Sequence, residues 1–181
     1  MFRIKKEKKK INMLDKEIIT LINEQIWLEN NASFYYLDLS IKFDTEGFNG
    51  ISKFFLDQSN EERTHMLMLV DYLLEKDATP QLPQYNFMED SEEQFNVLSH
   101  FENSLYNERR ITESINKIVS KCKELEDYTT ENFIQWFVSE QREEEAKFKS
   151  IIDDLKIIGE DRVGLYNINK LLGNTPEETT E

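Results

Sequence analysis

The chain contains few of the residues that break helices or cross-link chains. Its 181 residues include five glycines, three prolines and one cysteine. The single Cys122 excludes an internal disulfide and any cysteine-rich metal module, so we expect it to be a small core residue or an incidental surface thiol. No apolar run approaches the roughly 20 residues that a membrane span needs. We therefore expect a soluble, cytoplasmic protein with no membrane partner.

The long stretches without glycine or proline favour helices over strands. Apolar residues recur at steps of three and four, which is the helical period. This spacing predicts an all-α fold with four long helices at about 15–43, 49–76, 92–125 and 130–158, and a short fifth C-terminal helix at about 161–172. Asp15 and Thr130 are the predicted N-caps, and Gly159 is the predicted end of the fourth helix.

The connections between the predicted helices differ in length. Those after the first and third helices are short, which makes neighbouring helices antiparallel. The connection at 77–91 is long and contains Pro80 and Pro83, so it does not form a tight hairpin. It can carry the chain along the bundle, so that the third helix starts at the same end as the second. The prediction is a four-helix bundle with a long crossover between the second and third helices.

Charge is strongly acidic and unevenly distributed. The net charge is −14, but residues 1–13 contain six lysines or arginines and one glutamate, so the remainder is near −19. We expect 1–13 to be a basic disordered extension, 14–173 to be one domain and 174–181 to be a polar tail. An acidic body argues against a nucleic-acid partner and is typical of a protein that handles cations.

Each predicted apolar stripe is interrupted near its middle by polar residues. When helices of similar length pack side by side, their midpoints meet at one level, so these side chains converge. Burying several carboxylates costs several kcal/mol per ion unless some are protonated or cations lie among them. Carboxylates with one imidazole suit Fe(II), Mn(II) or Zn(II). The residues are Glu29 on the first helix, Glu62 and His65 on the second, Glu108 on the third, and Gln141 and Glu144 on the fourth.

The spacing of these residues repeats along the chain. Glu29 and Glu62 are 33 residues apart, and so are Glu108 and Gln141. Each half is thus a helix hairpin that presents ligands at the same height, which suits a pair of metal ions. The spacing Glu62-x-x-His65 places both groups on one helical face, where they can share one metal.

Four further residues have two readings from the sequence. Tyr36 either touches the buried site or only packs beside it. The other three belong to acidic runs, which are solvated faces or, next to the core ligands, an outer metal site; they are Glu61, Glu140 and Glu143.

Three stretches carry a resemblance to a known family. Residues 23–29 (NEQIWLE), 61–65 (EERTH) and 133–145 (FIQWFVSEQREEE) are similar to the bacterial non-haem ferritins, of the ferritin-like di-iron family. The resemblance extends over about 14–172. It implies a ferritin-like bundle assembled into a cage of twenty-four identical subunits that stores ferric mineral.

The resemblance also implies roles for individual residues. Glu29, Glu62 and His65 match ligands of a first iron, with Glu62 bridging to a second iron. The remaining matches are Glu108 and Glu144 for the second iron, Gln141 for an amide beside the site, Tyr36 for a tyrosine near it, and Glu61, Glu140 and Glu143, with help from Glu144, for a third iron.

The implied activity is ferroxidase chemistry, in which O₂ or H₂O₂ takes electrons from two Fe(II) ions. Haem is not expected, because Arg63 stands where haem-binding relatives have methionine and Glu144 where they have histidine. One cysteine cannot supply the iron module of a rubrerythrin-like peroxidase. Two alternatives stay open: a DNA-protecting mini-ferritin-like protein, encouraged by the basic 1–13 segment, and a non-catalytic helical scaffold.

Overall fold

The computed structural model describes residues 14–82, 95–159 and 161–174, and within these ranges every regular element is a helix. The all-α prediction is therefore confirmed, including the short fifth helix. The predicted extension 1–13, residues 83–91 of the crossover and residues 175–181 of the tail lie outside the described ranges. The helices are α1 (Lys16–Thr45), α2 (Asn49–Glu75), α3 (Val97–Glu124), α4 (Tyr128–Ile158) and α5 (Arg162–Gly173).

The four long helices pack with the predicted directions. Ser40 near the end of α1 lies 3.1 Å from Ser52 near the start of α2, hydroxyl to hydroxyl, so these two helices are antiparallel. Lys156 near the end of α4 likewise pairs with Glu102 near the start of α3 at 2.8 Å. The ring of Phe101, at the start of α3, packs against rings near the start of α2, at 5.0 Å from Phe55. Helices α2 and α3 therefore run parallel, as the long crossover predicts.

Two helix starts differ from the prediction. Helix α3 begins at Val97 rather than near Glu92, because the Asn96 side chain accepts a hydrogen bond from the Ser99 amide at 2.8 Å and caps it. Phe95, just before the cap, packs on the His100 ring one turn later, which is the arrangement of a hydrophobic staple. Its apolar character extends the helical pattern beyond the helix itself.

The fourth helix is capped three residues earlier than predicted. Asp127, not Thr130, is the N-cap of α4, and its carboxylate accepts from the Thr130 amide at 3.0 Å. The Thr130 hydroxyl also donates to Asp127, so both residues belong to the cap. The predicted cap at Asp15 and the predicted end at Gly159 are confirmed.

The core divides into two apolar layers with polar residues between them. One layer is aromatic and fully or nearly buried. It contains Tyr36, Phe43, Phe54, Phe55, Phe101 and Phe148. The other layer is mainly aliphatic and includes Ile22, Leu69, Ile115, Ile118, Ile134 and Phe137. Polar groups between these layers are shielded from water on both sides, which strengthens their electrostatic interactions.

Helix α5 is held against the start of α2. Phe48, the N-cap of α2, supplies no side-chain hydrogen bond. The Asn169 carboxamide oxygen instead accepts from the Gly50 and Ile51 amides, at 2.8 and 3.0 Å. A Cβ at Gly50 would lie 1.7 Å from the Asn169 carbonyl oxygen, so this contact requires glycine. Within the described ranges, no helix has the length and apolarity that crossing a membrane requires.

Candidate metal centre

The six polar residues that interrupt the apolar stripes are all buried. Their side chains lie between the two apolar layers, and none of these residues is more than 4% exposed. They are Glu29, Glu62, His65, Glu108, Gln141 and Glu144. Because α1 and α2 carry the first three and α3 and α4 the others, we call these sets the α1–α2 half and the α3–α4 half of the site.

The α1–α2 half holds three potential ligands close together. One ligand atom from each of Glu29, Glu62 and His65 lies within 4.8 Å of the others. Glu62 Oε2 is 3.2 Å from His65 Nδ1, and Gln25 Nε2 donates to Glu29 Oε1 at 2.7 Å. The other oxygens, Glu29 Oε2 and Glu62 Oε1, are buried with no hydrogen-bond partner among the described residues. This half therefore presents two unsatisfied carboxylate oxygens.

In the α3–α4 half, Glu108 is hydrogen-bonded through both oxygens. The Tyr36 hydroxyl donates a short hydrogen bond to Glu108 Oε1. Gln141 Nε2 donates to Glu108 Oε2 at 3.0 Å and to its backbone carbonyl at 3.1 Å. Tyr36 also stacks on Phe55 with ring centroids 5.8 Å apart. The two readings of Tyr36 are thus both correct, since it touches the site and packs in the aromatic layer.

Glu144 is satisfied in the same half by groups from α2 and α4. Gln58 Nε2 donates to Glu144 Oε2 at 3.2 Å. The Lys147 ammonium donates to Glu144 Oε1 at 2.6 Å. Both carboxylates of the α3–α4 half are thus occupied by protein donors.

Burial dominates the electrostatics of these carboxyl groups. It raises the pKa of Glu29 well above its usual range, and the neighbouring Glu62 raises it further. The pKa of Glu62 is also raised well above normal, by burial and then by Glu108. Burial raises the pKa of Glu108 to about 7 although Tyr36 and Gln141 lower it, and that of Glu144 to about 7 although Lys147 lowers it. Near neutral pH, either protons or cations must offset this charge.

The donor set fits divalent transition-metal ions. Oxygen ligands with one imidazole are the combination that Fe(II), Mn(II) and Zn(II) accept. The unpaired oxygens of Glu29 and Glu62 lie beside His65 Nδ1, where a cation would satisfy all three. Glu108 and Glu144 are near enough to Glu62 to raise its pKa. The residues therefore fit two neighbouring positions, with Glu62 between them.

The predicted outer group is only partly brought together. Ligand atoms of Glu61 and Glu140 lie within 4.8 Å of one another and of His65. Glu143 is exposed and pairs with Arg142 at 3.3 Å instead. Burial raises the pKa of Glu140, and the nearby Glu61 and Glu143 contribute. The structure thus adds His65 to this outer cluster and leaves Glu143 at the surface.

Three residues at the site were missed by the sequence reasoning. Gln25 and Gln58 are polar residues on apolar stripes, each four positions before a glutamate of the site, and that placement was an available signal. Lys147 carries no such signal, because a lysine on a helix is usually solvated. All three form hydrogen bonds with carboxylates of the site or with one another.

Comparisons with known proteins agree with this geometry. The ferritin family profile, described as a ferritin-like domain, matches residues 19–158. A probable bacterial non-heme ferritin-like protein of Haemophilus influenzae is 40% identical over 163 residues, covering 90% of this chain and 97% of that protein. A bacterial non-heme ferritin of Campylobacter jejuni is 39% identical over 167 residues, with 90% and 96% covered.

A solved structure is similar across almost the whole fold. The open-pore ferritin of Archaeoglobus fulgidus superposes with a TM-score of 0.84 and 30% identity, over 91% of this chain and 99% of that one. The profile match spans most of the chain and includes every buried residue of the metal centre. This chain therefore belongs to the ferritin family.

Proposed function

We propose that this protein stores iron and oxidises Fe(II) to Fe(III) at the buried site between its four long helices. The observation that carries the proposal is the pair of buried carboxylate oxygens, Glu29 Oε2 and Glu62 Oε1, left without hydrogen-bond partners beside an imidazole. Leaving such groups unpaired is costly, and a divalent cation satisfies them. The bacterial non-heme ferritins among the relatives support iron as that cation.

The ligand roles follow from the two halves of the site. Glu29, Glu62 and His65 bind the first Fe(II). Glu62 also faces the second Fe(II), which Glu108 and Glu144 bind. Gln25 and Gln141 hold the carboxylates of Glu29 and Glu108 in orientation through hydrogen bonds. Ligands with such supporting contacts lose little freedom when metal binds.

Holding two Fe(II) ions side by side makes a two-electron transfer possible in one encounter. Two Fe(II) become two Fe(III), and the two electrons with two protons reduce O₂ to H₂O₂ or reduce H₂O₂ to water. The apolar layers above and below the site exclude bulk water. We assign a third iron to the outer cluster of Glu61, Glu140 and His65, with Glu144 and Glu143 within its reach.

Storage requires an enclosed volume, which one bundle does not provide. We propose the twenty-four-subunit cytoplasmic cage that the resemblance implies, with ferric mineral inside. Large apolar side chains are exposed along α1 and α2, and such patches mark self-association surfaces. They include Trp27, Phe34, Ile41, Leu56 and Leu67. Light-scattering mass with an iron count per particle tests this, and a monomer that retains no iron would refute the storage role.

Rapid-mixing kinetics test the site itself. We expect Glu62→Ala and His65→Ala to lose the fast phase of Fe(II) oxidation, followed as Fe(III) absorbance after mixing with O₂ or H₂O₂. Glu113→Gln is the matched control, because Glu113 is exposed on α3 one turn beyond Glu108 and should oxidise Fe(II) normally. Wild-type kinetics in both site variants would reject the proposal.

A further inference from the structure

The ammonium group of Lys147 lies among the oxygen atoms at the outer edge of the site. Its Nζ is 2.6 Å from Glu144 Oε1, 3.1 Å from Gln58 Oε1 and 3.5 Å from Glu61 Oε2. The Lys147 side chain is 27% exposed, whereas that of Glu144 is 1% exposed. One cationic group therefore contacts a proposed ligand of the second iron and a proposed ligand of the outer iron.

Lys147 occupies the coordination position of Glu144 Oε1. A transition-metal ion approaches a carboxylate oxygen to about 2.0–2.2 Å. An ammonium at hydrogen-bond distance uses the same lone pair, so ammonium and metal cannot both hold that oxygen at its open side. The ammonium is carried on a flexible four-carbon stem and keeps a partly exposed route to solvent. It can leave without any movement of α4.

The α1–α2 half offers a different starting state. Glu29 Oε2 and Glu62 Oε1 have no donor to displace, while Glu144 has a donor on each oxygen. A metal ion gains the full interaction with the first pair. At Glu144 it gains only the difference between its own interaction and that of the ammonium, and Glu61 loses the same counter-charge.

We propose that Lys147 is a tethered counter-cation that metal must displace from Glu144 and Glu61, so that the Glu29–Glu62–His65 position fills first. The inference rests on the metal site proposed above. Lys147 is a positioning residue for affinity and order of filling. In the metal-free protein it holds Gln58, Glu61 and Glu144 together.

Calorimetric titration with Zn²⁺, which does not undergo redox chemistry, tests the proposal on the assembled metal-free protein. We expect wild type to bind one ion per subunit tightly and further ions more weakly. Lys147→Met keeps the length of the stem and removes the charge, so the weaker ions should tighten at least about tenfold, while the first ion changes by less than about threefold. Lys149→Met removes an exposed lysine two positions away and should leave both classes unchanged.

Several results separate the two proposals. Identical titrations of wild type and Lys147→Met, or equal tightening in Lys149→Met, would overturn the role of Lys147 while leaving the metal site intact. Failure of Zn²⁺ to bind the buried site in every variant would instead overturn the proposed function. If Lys147→Met does not fold, Lys147→Gln keeps a neutral hydrogen-bond donor to Glu144 and should show the same tightening.

Thermal unfolding gives an independent readout without reference to activity. Metal-free Lys147→Met should melt below wild type, because Glu144 loses its counter-charge in a buried position. Saturating Zn²⁺ should remove that difference, since the metal replaces the ammonium. A difference that persists in saturating Zn²⁺ would assign Lys147 to folding alone and contradict the proposal.

Discussion

The two halves of the metal centre share one spacing in sequence but differ in their hydrogen bonds. In the α1–α2 half, Glu29 and Glu62 each keep one buried oxygen without a partner. In the α3–α4 half, Glu108 receives Tyr36 and Gln141, and Glu144 receives protein donors on both oxygens. One half is therefore open to a cation, and the other is held closed by the protein itself.

This difference shows that a symmetric ligand set need not bind metal symmetrically. Unpaired carboxylates are destabilising until a cation arrives, so they favour tight binding. Paired carboxylates keep the metal-free bundle stable but reduce the gain from metal, because existing hydrogen bonds are lost. The first half thus provides affinity and the second half provides stability before loading.

The largest expected effect comes from removing a carboxylate from one half at a time. Glu29→Ala should weaken binding of the first Zn²⁺ or anaerobic Fe(II) ion by more than about 100-fold, beyond the roughly 10–100-fold typical of supporting residues. Glu144→Ala should leave the first ion in place and weaken the second. Equilibrium dialysis measures both. Equal loss of the first ion in the two variants would erase the distinction between the halves.

A smaller effect is expected from the glutamines that hold these carboxylates. Gln25→Leu frees Glu29 and should weaken the first ion about tenfold, as loss of an orienting hydrogen bond does elsewhere. Gln58→Leu acts on Glu144 and should weaken the second ion by a similar factor while sparing the first. Each variant is the control for the other in the same titration. Any effect of Gln58→Leu confined to the first ion would contradict the assignment.

The smallest effect is a pH dependence of stability in the metal-free protein. Burial raises the pKa of Glu108 and Glu144 from 4.5 to about 7, so the folded protein binds protons in this window that the unfolded chain has released. The free energy of unfolding contributed by these groups is therefore highest below pH 4.5 and falls as pH rises through about 7. Each unit of pKa corresponds to about 1.4 kcal/mol, which sets the upper scale.

Urea unfolding at pH 6 and pH 7.5 measures this slope. Wild type should be more stable at pH 6, and Glu108→Gln should show a shallower dependence because one titrating group is gone. Saturating Zn²⁺ should abolish the dependence in wild type, since the metal keeps the carboxylates ionised. A stability that rises from pH 6 to pH 7.5 in the metal-free protein would reverse the predicted sign.

The helical pattern was enough to predict the bundle and the burial of the site residues. Mid-helix residues such as Glu29, Glu62 and Glu108 interrupt apolar stripes, and helices of equal length bring their midpoints together. Their partners were harder to foresee, because hydrogen bonds between helices depend on side-chain conformation. The open and closed halves differ through Tyr36 and Lys147, whose positions have no signature in a periodic pattern.

Some features of the fold also depend on contacts between distant residues. Asn169 caps α2 from 119 residues away through the Gly50 amide, and neither residue signals the other in sequence. The start of α3 was misplaced because Phe95 continues the apolar spacing although it acts as a staple outside the helix. Local patterns thus locate helices well, whereas their ends and anchors are set by three-dimensional contacts.

The most direct measurement is anomalous diffraction at the iron edge from crystals soaked in Fe(II) without oxygen. The account predicts one strong peak among Glu29, Glu62 and His65, and a second, weaker peak between Glu62, Glu108 and Glu144 with the Lys147 ammonium moved away. No anomalous density among these side chains at saturating Fe(II) would contradict the claim that buried carboxylates are kept here to bind metal.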